Sequence, residues 1–211
     1  MDRDLPIAPI EQLAMREEIN EVIAGTRDKL TLSDELKSNM RQLLALLRSE
    51  EMRNLVEAGK ITFAMVKPNV HLAKAENNNR TDHELAEEVI ASIGDDFKII
   101  GRQDFQIPVA AAADFYAHLE KLGKGIMEKV AGFMSSGATT ALILYRDKGN
   151  AHDAWRMQIG ATNPAEAEKG TIRQRFADTQ ENNAVHGSDS IKSVQQELLW
   201  FANLLEGMLK A

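Results

Sequence analysis

No cysteine occurs anywhere in the 211 residues, which excludes a disulfide framework, a thiolate metal site and a cysteine nucleophile. Long apolar runs are missing too. The longest, such as Ala138–Tyr145, fall far short of the ~20 residues that a membrane-spanning helix needs. A basic segment followed by an apolar one, the mark of a secretory signal, is not found at the N-terminus; with the missing cysteines this leads us to expect a cytoplasmic protein. Positive charge is the scarcer sign, 25 Lys and Arg against 32 Asp and Glu, for a net charge of −7 and a pI of about 5.3. A general nucleic-acid binder needs a broad positive surface, so no nucleic-acid partner is expected. Any phosphate site must be a local cluster of cations.

What is present is a hydrophobic fraction of 44%, enough for one well-buried domain with something appended, or for two small ones. Residues 1–10, with Pro6 and Pro9, read as an extended lead-in. Met15, Ile19, Val22 and Ile23 then follow a helical stripe that stops at Gly25, and Leu36, Met40, Leu43, Leu44 and Leu47 form a second one behind Ser33, a good N-cap. A third helical piece covers 50–58 and stops at Gly59. Residues 1–59 are therefore expected to be a helical extension whose narrow apolar stripes need a partner surface, in this chain, in a sister subunit or in another protein.

From Ile61 the pattern becomes a β-prone run that ends at Lys67-Pro68 and reads as a central buried strand. A capping-box pattern at Thr81-Asp82-His83-Glu84 opens a helix with Leu85, Val89, Ile90 and Ile93 on its buried face, closed by Gly94. Further strands are expected over 97–107 and 138–145, helices over 110–121, 126–135 and 150–159, and an irregular polar stretch from Gln174 to Asn182. The Gly123-Lys124-Gly125 segment lacks the spacing of a phosphate loop, and His83 with Glu87 lacks the second histidine of a zinc helix. No metal site built by the protein alone is expected. The element order gives an α+β class: a ferredoxin-like βαββαβ sandwich with an inserted helical hairpin, over residues 60–211, behind the N-terminal helical extension.

The most informative stretch is Asn183-Ala184-Val185-His186-Gly187-Ser188-Asp189-Ser190. It places a histidine on a short buried strand, follows it with a glycine that would leave the imidazole open to a ligand, and then supplies caps for an amphipathic helix. Glu197, eleven residues on, would reach the ring if strand and helix pack side by side, and a carboxylate there could fix the tautomer of a nucleophilic imidazole. A core histidine beside a helix cap fits this octapeptide equally well.

Other segments break the tie. Thr62-Phe63-Ala64-Met65-Val66-Lys67-Pro68, Gly160-Ala161-Thr162-Asn163-Pro164-Ala165-Glu166-Ala167 and Gly170-Thr171-Ile172-Arg173, followed by the His186 octapeptide, closely resemble in sequence and order the signature segments of the nucleoside diphosphate kinases. The resemblance covers roughly residues 60–205. It implies transfer of the γ-phosphoryl group of ATP or another nucleoside triphosphate to a nucleoside diphosphate by a ping-pong route with Mg²⁺. It casts His186 as the nucleophile and Glu197 as its orienting carboxylate. Lys67, Arg156 and Arg173 would bind phosphates, Thr162 would offer a hydroxyl to them, Asn183 would contact sugar and phosphate, and Tyr116 would lie near the histidine. The family usually forms hexamers, or tetramers built from dimers, so a homo-oligomer is implied. Departures are visible as well. Asn69-Val70 replaces aspartate-glycine, Gln174-Arg175 replaces glycine-aspartate, and Ile126 falls where the family stacks a phenylalanine on the base. Two other readings share the residues: a weakly active nucleotide-binding or scaffolding module, and transfer from phosphohistidine to a protein.

Overall fold

The structure, a computed structural model, describes residues 33–68, 70, 82–123 and 125–210. The expected lead-in, the Met15 stripe and Thr81 of the capping box lie outside them.

Ser33 opens helix α1 (Asp34–Leu47) by accepting the Leu36 N–H on its hydroxyl at 3.2 Å. Ser49 does the same for α2 (Glu50–Glu57), with Met52 N at 3.0 Å. Gly59, at φ +70°, then turns the chain into strand β1 (Ile61–Val66). Helix α3 (Asp82–Ala91) leads to β2 (Lys98–Gln106), and the hairpin that follows is α4 (Val109–Phe115), a 3₁₀ turn (Ala117–Leu122) and α5 (Ile126–Met134). Strand β3 (Ala138–Tyr145), helix α6 (Ala151–Ile159), the short α7 (Ile172–Phe176), β4 (Val185–Gly187) and the long α8 (Ile191–Lys210) complete the chain. Four antiparallel strands form one sheet in the order β2-β3-β1-β4. This is the expected ferredoxin-like α+β sandwich with its inserted hairpin.

β1 sits centrally and all six of its residues are buried, because alternate side chains feed two cores. Ala64 and Val66 join Leu142 and Leu144 beneath α3 and α6, where Leu85, Val89 and Trp155 cover them. Phe63 and Met65 join Ile143 on the opposite face, under Val194, Leu198, Phe201 and Leu205 of α8. Those four positions recur at helical spacing and form the apolar side of the amphipathic helix expected after the His186 octapeptide. Leu36, Met40, Leu43 and Leu47 of α1 and Met52 and Val56 of α2 belong to the same core as α8. Each such side chain contributes roughly 1.5–3 kcal/mol by leaving water. Contact is close enough that a Cβ on Gly101 of β2 would lie 2.8 Å from Leu43 Cδ1 and 2.7 Å from Ile143 Cδ1; glycine there lets α1 lie on the sheet.

Two elements differ from the sequence expectation. The helix anticipated over 110–121 breaks at Tyr116, whose buried ring packs edge-on against Phe115 with centroids 4.9 Å apart; beyond it the turns tighten to 3₁₀, beginning with Leu119 N to Tyr116 O at 2.9 Å. Hydrophobic periodicity does not separate these two helix types. The irregular stretch expected after Arg173 instead begins as α7, which buries Ile172, Arg173 and Phe176. Five residues are too few to carry a readable stripe.

Candidate active site

β4 lies at the sheet edge, pairing His186 with Met65 and Gly187 with Ala64. The His186 ring is therefore on the α8 side of the sheet, 5.1 Å from the Phe115 ring and 6.4 Å from that of Phe63. Its Nε2 lies 2.9 Å from Glu197 Oε2, and Ser188 Oγ donates to the same oxygen at 2.7 Å. Ser188 is fixed in turn by the β1 backbone, its N–H donating to Phe63 O at 3.2 Å. A carboxylate can only accept, so the proton of a neutral imidazole sits on Nε2 and the lone pair on Nδ1.

Gly187 has a different reason from the one its sequence context suggested. A Cβ there would meet Trp155 Cδ1 at 2.4 Å and Ile159 Cδ1 at 3.2 Å on the opposite face of the sheet. Glycine is needed for packing against Trp155, whose indole N–H donates to His186 O at 3.2 Å, and it does not serve to uncover the imidazole.

The strand is entered through strain. Ala184 is the one non-glycine residue with positive φ among those described, at +67°, and Val185 N bonds to Asn183 O at 2.8 Å across it. This tight three-residue turn is energetically unfavourable. It is held by its neighbours: Ala184 O accepts the Lys67 N–H at 2.8 Å, and Asn183 Oδ1 accepts from Lys67 Nζ at 2.8 Å. Arg173 donates to Gly160 O and Val185 O, both at 3.0 Å, which ties α7 to the start of β4.

Lys67, Tyr116, Arg156, Thr162, Arg173, Asn183, His186 and Glu197 all line one cavity of about 750 Å³. The structure thus brings together eight of the nine site residues read from the sequence. The ninth, Ile126, is the first residue of α5, partly exposed, and is not part of the cavity wall. His118, Leu199 and Trp200, to which the sequence reading gave no role, complete the lining with Phe115 and with Asp189, which was read as a helix cap. Asp189 stands inside the His186 octapeptide and Trp200 lies one helical turn beyond Glu197; that adjacency was the available signal.

Cations dominate the floor. Burial, and after it the charge of Arg173, lowers the Lys67 ammonium to about 7. Burial and then Arg156 lower Arg173 to about 10. Burial raises the Tyr116 phenol, with Glu197 adding to the effect. Its hydroxyl and Arg173 Nε find no hydrogen-bond partner among the described residues. A buried, mutually repelling set of donors with unfilled hydrogen-bonding capacity is stabilised by an anion. Asp189 is held ionised, its carboxyl lowered first by the Ser193 hydroxyl and further by Ser190 and Arg156.

A sequence profile of nucleoside diphosphate kinase matches residues 60–204. The chain belongs to that family. Nucleoside diphosphate kinase of Geobacter sp. (strain M21) is 41% identical over 146 residues, 69% of this chain and 96% of the relative; that of Desulfovibrio desulfuricans is 35% identical over 147, covering 69% and 95%. The crystal structure of the Aquifex aeolicus nucleoside diphosphate kinase superposes with a TM-score of 0.56 at 28% identity, covering 67% of this chain and 94% of the other. The Encephalitozoon cuniculi enzyme, at 21% identity and a TM-score of 0.55, shares the fold. Family membership makes the chain a kinase and transferase of nucleotides. Among the described residues no helix is long and apolar enough to cross a membrane.

Proposed function

We propose that the chain transfers the γ-phosphoryl group of a nucleoside triphosphate to a nucleoside diphosphate through a phosphohistidine on Nδ1 of His186. The observation that carries this is the contact of Nε2 with Glu197, which leaves the other ring nitrogen with the free electron pair. In the first half-reaction Nδ1 attacks the γ-phosphorus, the bond to the β,γ-bridging oxygen breaks, and the nucleoside diphosphate leaves. In the second, a terminal oxygen of the acceptor diphosphate attacks phosphorus and the P–N bond breaks, which restores the imidazole. Glu197 stabilises the positive charge the ring gains at each transfer.

Lys67, Arg156 and Arg173 would neutralise the charge on the phosphates, with Thr162 and Asn183 adding hydrogen bonds; such placement supplies most of the catalysis in phosphoryl transfer. Among the described residues no group of three or more His, Asp or Glu is arranged to hold a metal. Ionised Asp189 in the cavity wall suits Mg²⁺ that arrives on the nucleotide, since this ion keeps most of its ligands as phosphate oxygen and water. When bound it would offset phosphate charge. Family membership also supports a homo-oligomer, a hexamer or a tetramer built from dimers, and a cytoplasmic location.

Incubation with γ-labelled ATP followed by GDP tests the reading. Label should appear on the protein, be lost to GDP, and never appear in His186→Ala. Label that persists in the alanine variant, or that passes only to another protein, would overturn it.

A further inference from the structure

The cavity does not end at the cations. Asp189, just ahead of α8, feels the charge of Arg156, and from there the wall follows the helix past Glu197 to Leu199, Trp200 and Asn203. Asn203 lies about 9 Å beyond Glu197 along the helix axis. The facing wall is α4 with its 3₁₀ turn, from which Asp114, Phe115 and His118 line the same cavity. At depth the two walls are joined: Trp200 donates its indole N–H to Ala111 O at 3.0 Å, and its ring meets that of Phe115 edge-on with centroids 4.6 Å apart. Asp114 follows Ala111 at helical spacing, and Asn203 follows Trp200 likewise. A cleft floored by two aromatic rings therefore runs from His186 between α4 and α8.

We infer that this cleft seats the nucleobase, and guanine in preference to the other bases, in place of the α5 position Ile126, which takes no part in the cavity wall. The inference rests on the nucleotide reading above. With the phosphates at the cations, the far end of the cleft leaves room for ribose and base. Leu199 is 63% exposed in a wall that is otherwise largely polar, and a flat ring laid over it would take apolar surface out of water, with the His118 ring on the opposing wall. Asp114 and Asn203 are exposed, and neither side chain has a hydrogen-bond partner among the described residues. A carboxylate can only accept. Guanine offers such a group two adjacent donors, N1–H and the amino group on C2, whereas adenine and cytosine each set a ring acceptor beside their amino group. The Asn203 amide can donate to the guanine carbonyl oxygen.

Calorimetric titration of the full chain with GDP, CDP and base-free pyrophosphate, each with Mg²⁺, tests this. Wild type should bind GDP more tightly than CDP. Leu199→Ala, at an exposed position where truncation spares the fold, should weaken GDP roughly three- to tenfold and leave pyrophosphate unchanged. Asp114→Asn should weaken GDP about five- to thirtyfold and bind xanthosine diphosphate more tightly than wild type does, because its amide can accept from N1–H and donate to the carbonyl oxygen on C2. A merely structural role for Asp114 would not produce that exchange. Equal wild-type affinities for GDP and CDP, GDP affinity unmoved in both variants, or GDP and pyrophosphate weakened alike would overturn the inference. Label from γ-labelled ATP separates it from the transfer reading: wild type that takes label without preferring GDP overturns the base site alone, and wild type that prefers GDP without taking label supports the base site and overturns the transfer.

Discussion

His186 Nε2 and Glu197 Oε2 meet at 2.9 Å although eleven residues separate them in the chain, because β4 and α8 run side by side against β1 and Ser188 holds the carboxylate from the strand side. In Glu197→Gln the side chain keeps its shape and an acceptor oxygen but loses the charge. A charge-assisted hydrogen bond exceeds a neutral one by roughly 1–2 kcal/mol, so turnover should fall about five- to thirtyfold while label still reaches the protein. Rapid-quench measurement of phosphoenzyme formation checks this. An unchanged rate would mean that the carboxylate's charge is immaterial.

Gly187→Ala should destabilise the fold without touching the imidazole. The added methyl collides with Trp155, and overpacking of this kind costs about 1–3 kcal/mol, or roughly 2–12 °C in a protein of this size. Thermal unfolding measures it. If Gly187 instead served substrate access, the alanine variant would unfold normally and show a raised KM.

Lys67 predicts proton uptake on binding. Burial and Arg173 lower its pKa from 10.5 to about 7 in the folded protein, so between those values the unfolded chain holds the extra proton. Stability from this group therefore rises with pH from about 7 towards 10.5, and the cost of burying the charge is greatest below 7. Phosphate beside the amine restores the ammonium, so nucleotide binding near pH 8 should take up a proton. Calorimetry in buffers of different ionisation enthalpy would show this, and Lys67→Met should abolish it. Binding heats independent of the buffer would contradict the assignment.

Met40→Ala probes whether α1 is an appendage. Met40 is fully buried in the core shared with α8 and β1, so its truncation should cost about 2–5 kcal/mol and shift one cooperative transition of the whole chain. Two separate calorimetric transitions, with only the smaller moved, would show residues 33–59 to be an independent unit. A chain beginning at Gly59 would keep every site residue yet uncover the apolar face of α8 that α1 and α2 share, and it should be less soluble than the 211-residue chain.

Much of this was legible because the relevant signals are local. The Lys67 strand end, the His186 octapeptide and the α8 stripe each occupy one short window, and the spacing of Glu197 matches how a strand and the following helix pack. Other features depend on residues remote in sequence. Only the fold shows that Gly187 answers to Trp155, that Gly101 makes room for Leu43, or that the Ala184 turn is held from Lys67. The break at Tyr116 escaped because a 3₁₀ turn and an α-helix place apolar side chains at nearly the same spacing, and α7 escaped because five residues cannot show a period.

The core shared by α1, α2 and α8 sets the order in which the chain can be completed. Met40 and Leu205 belong to one apolar cluster, so α1 and α2, though Leu43 already meets the sheet at Gly101 and Ile143, stay uncovered on the α8 side until that helix has been made. Contacts so distant in sequence slow folding, and until α8 arrives one side of β1 is open to other nascent chains. Helix α8, which carries Glu197, both closes the core and completes the cavity around His186, so the contact between the two residues forms only as the core does.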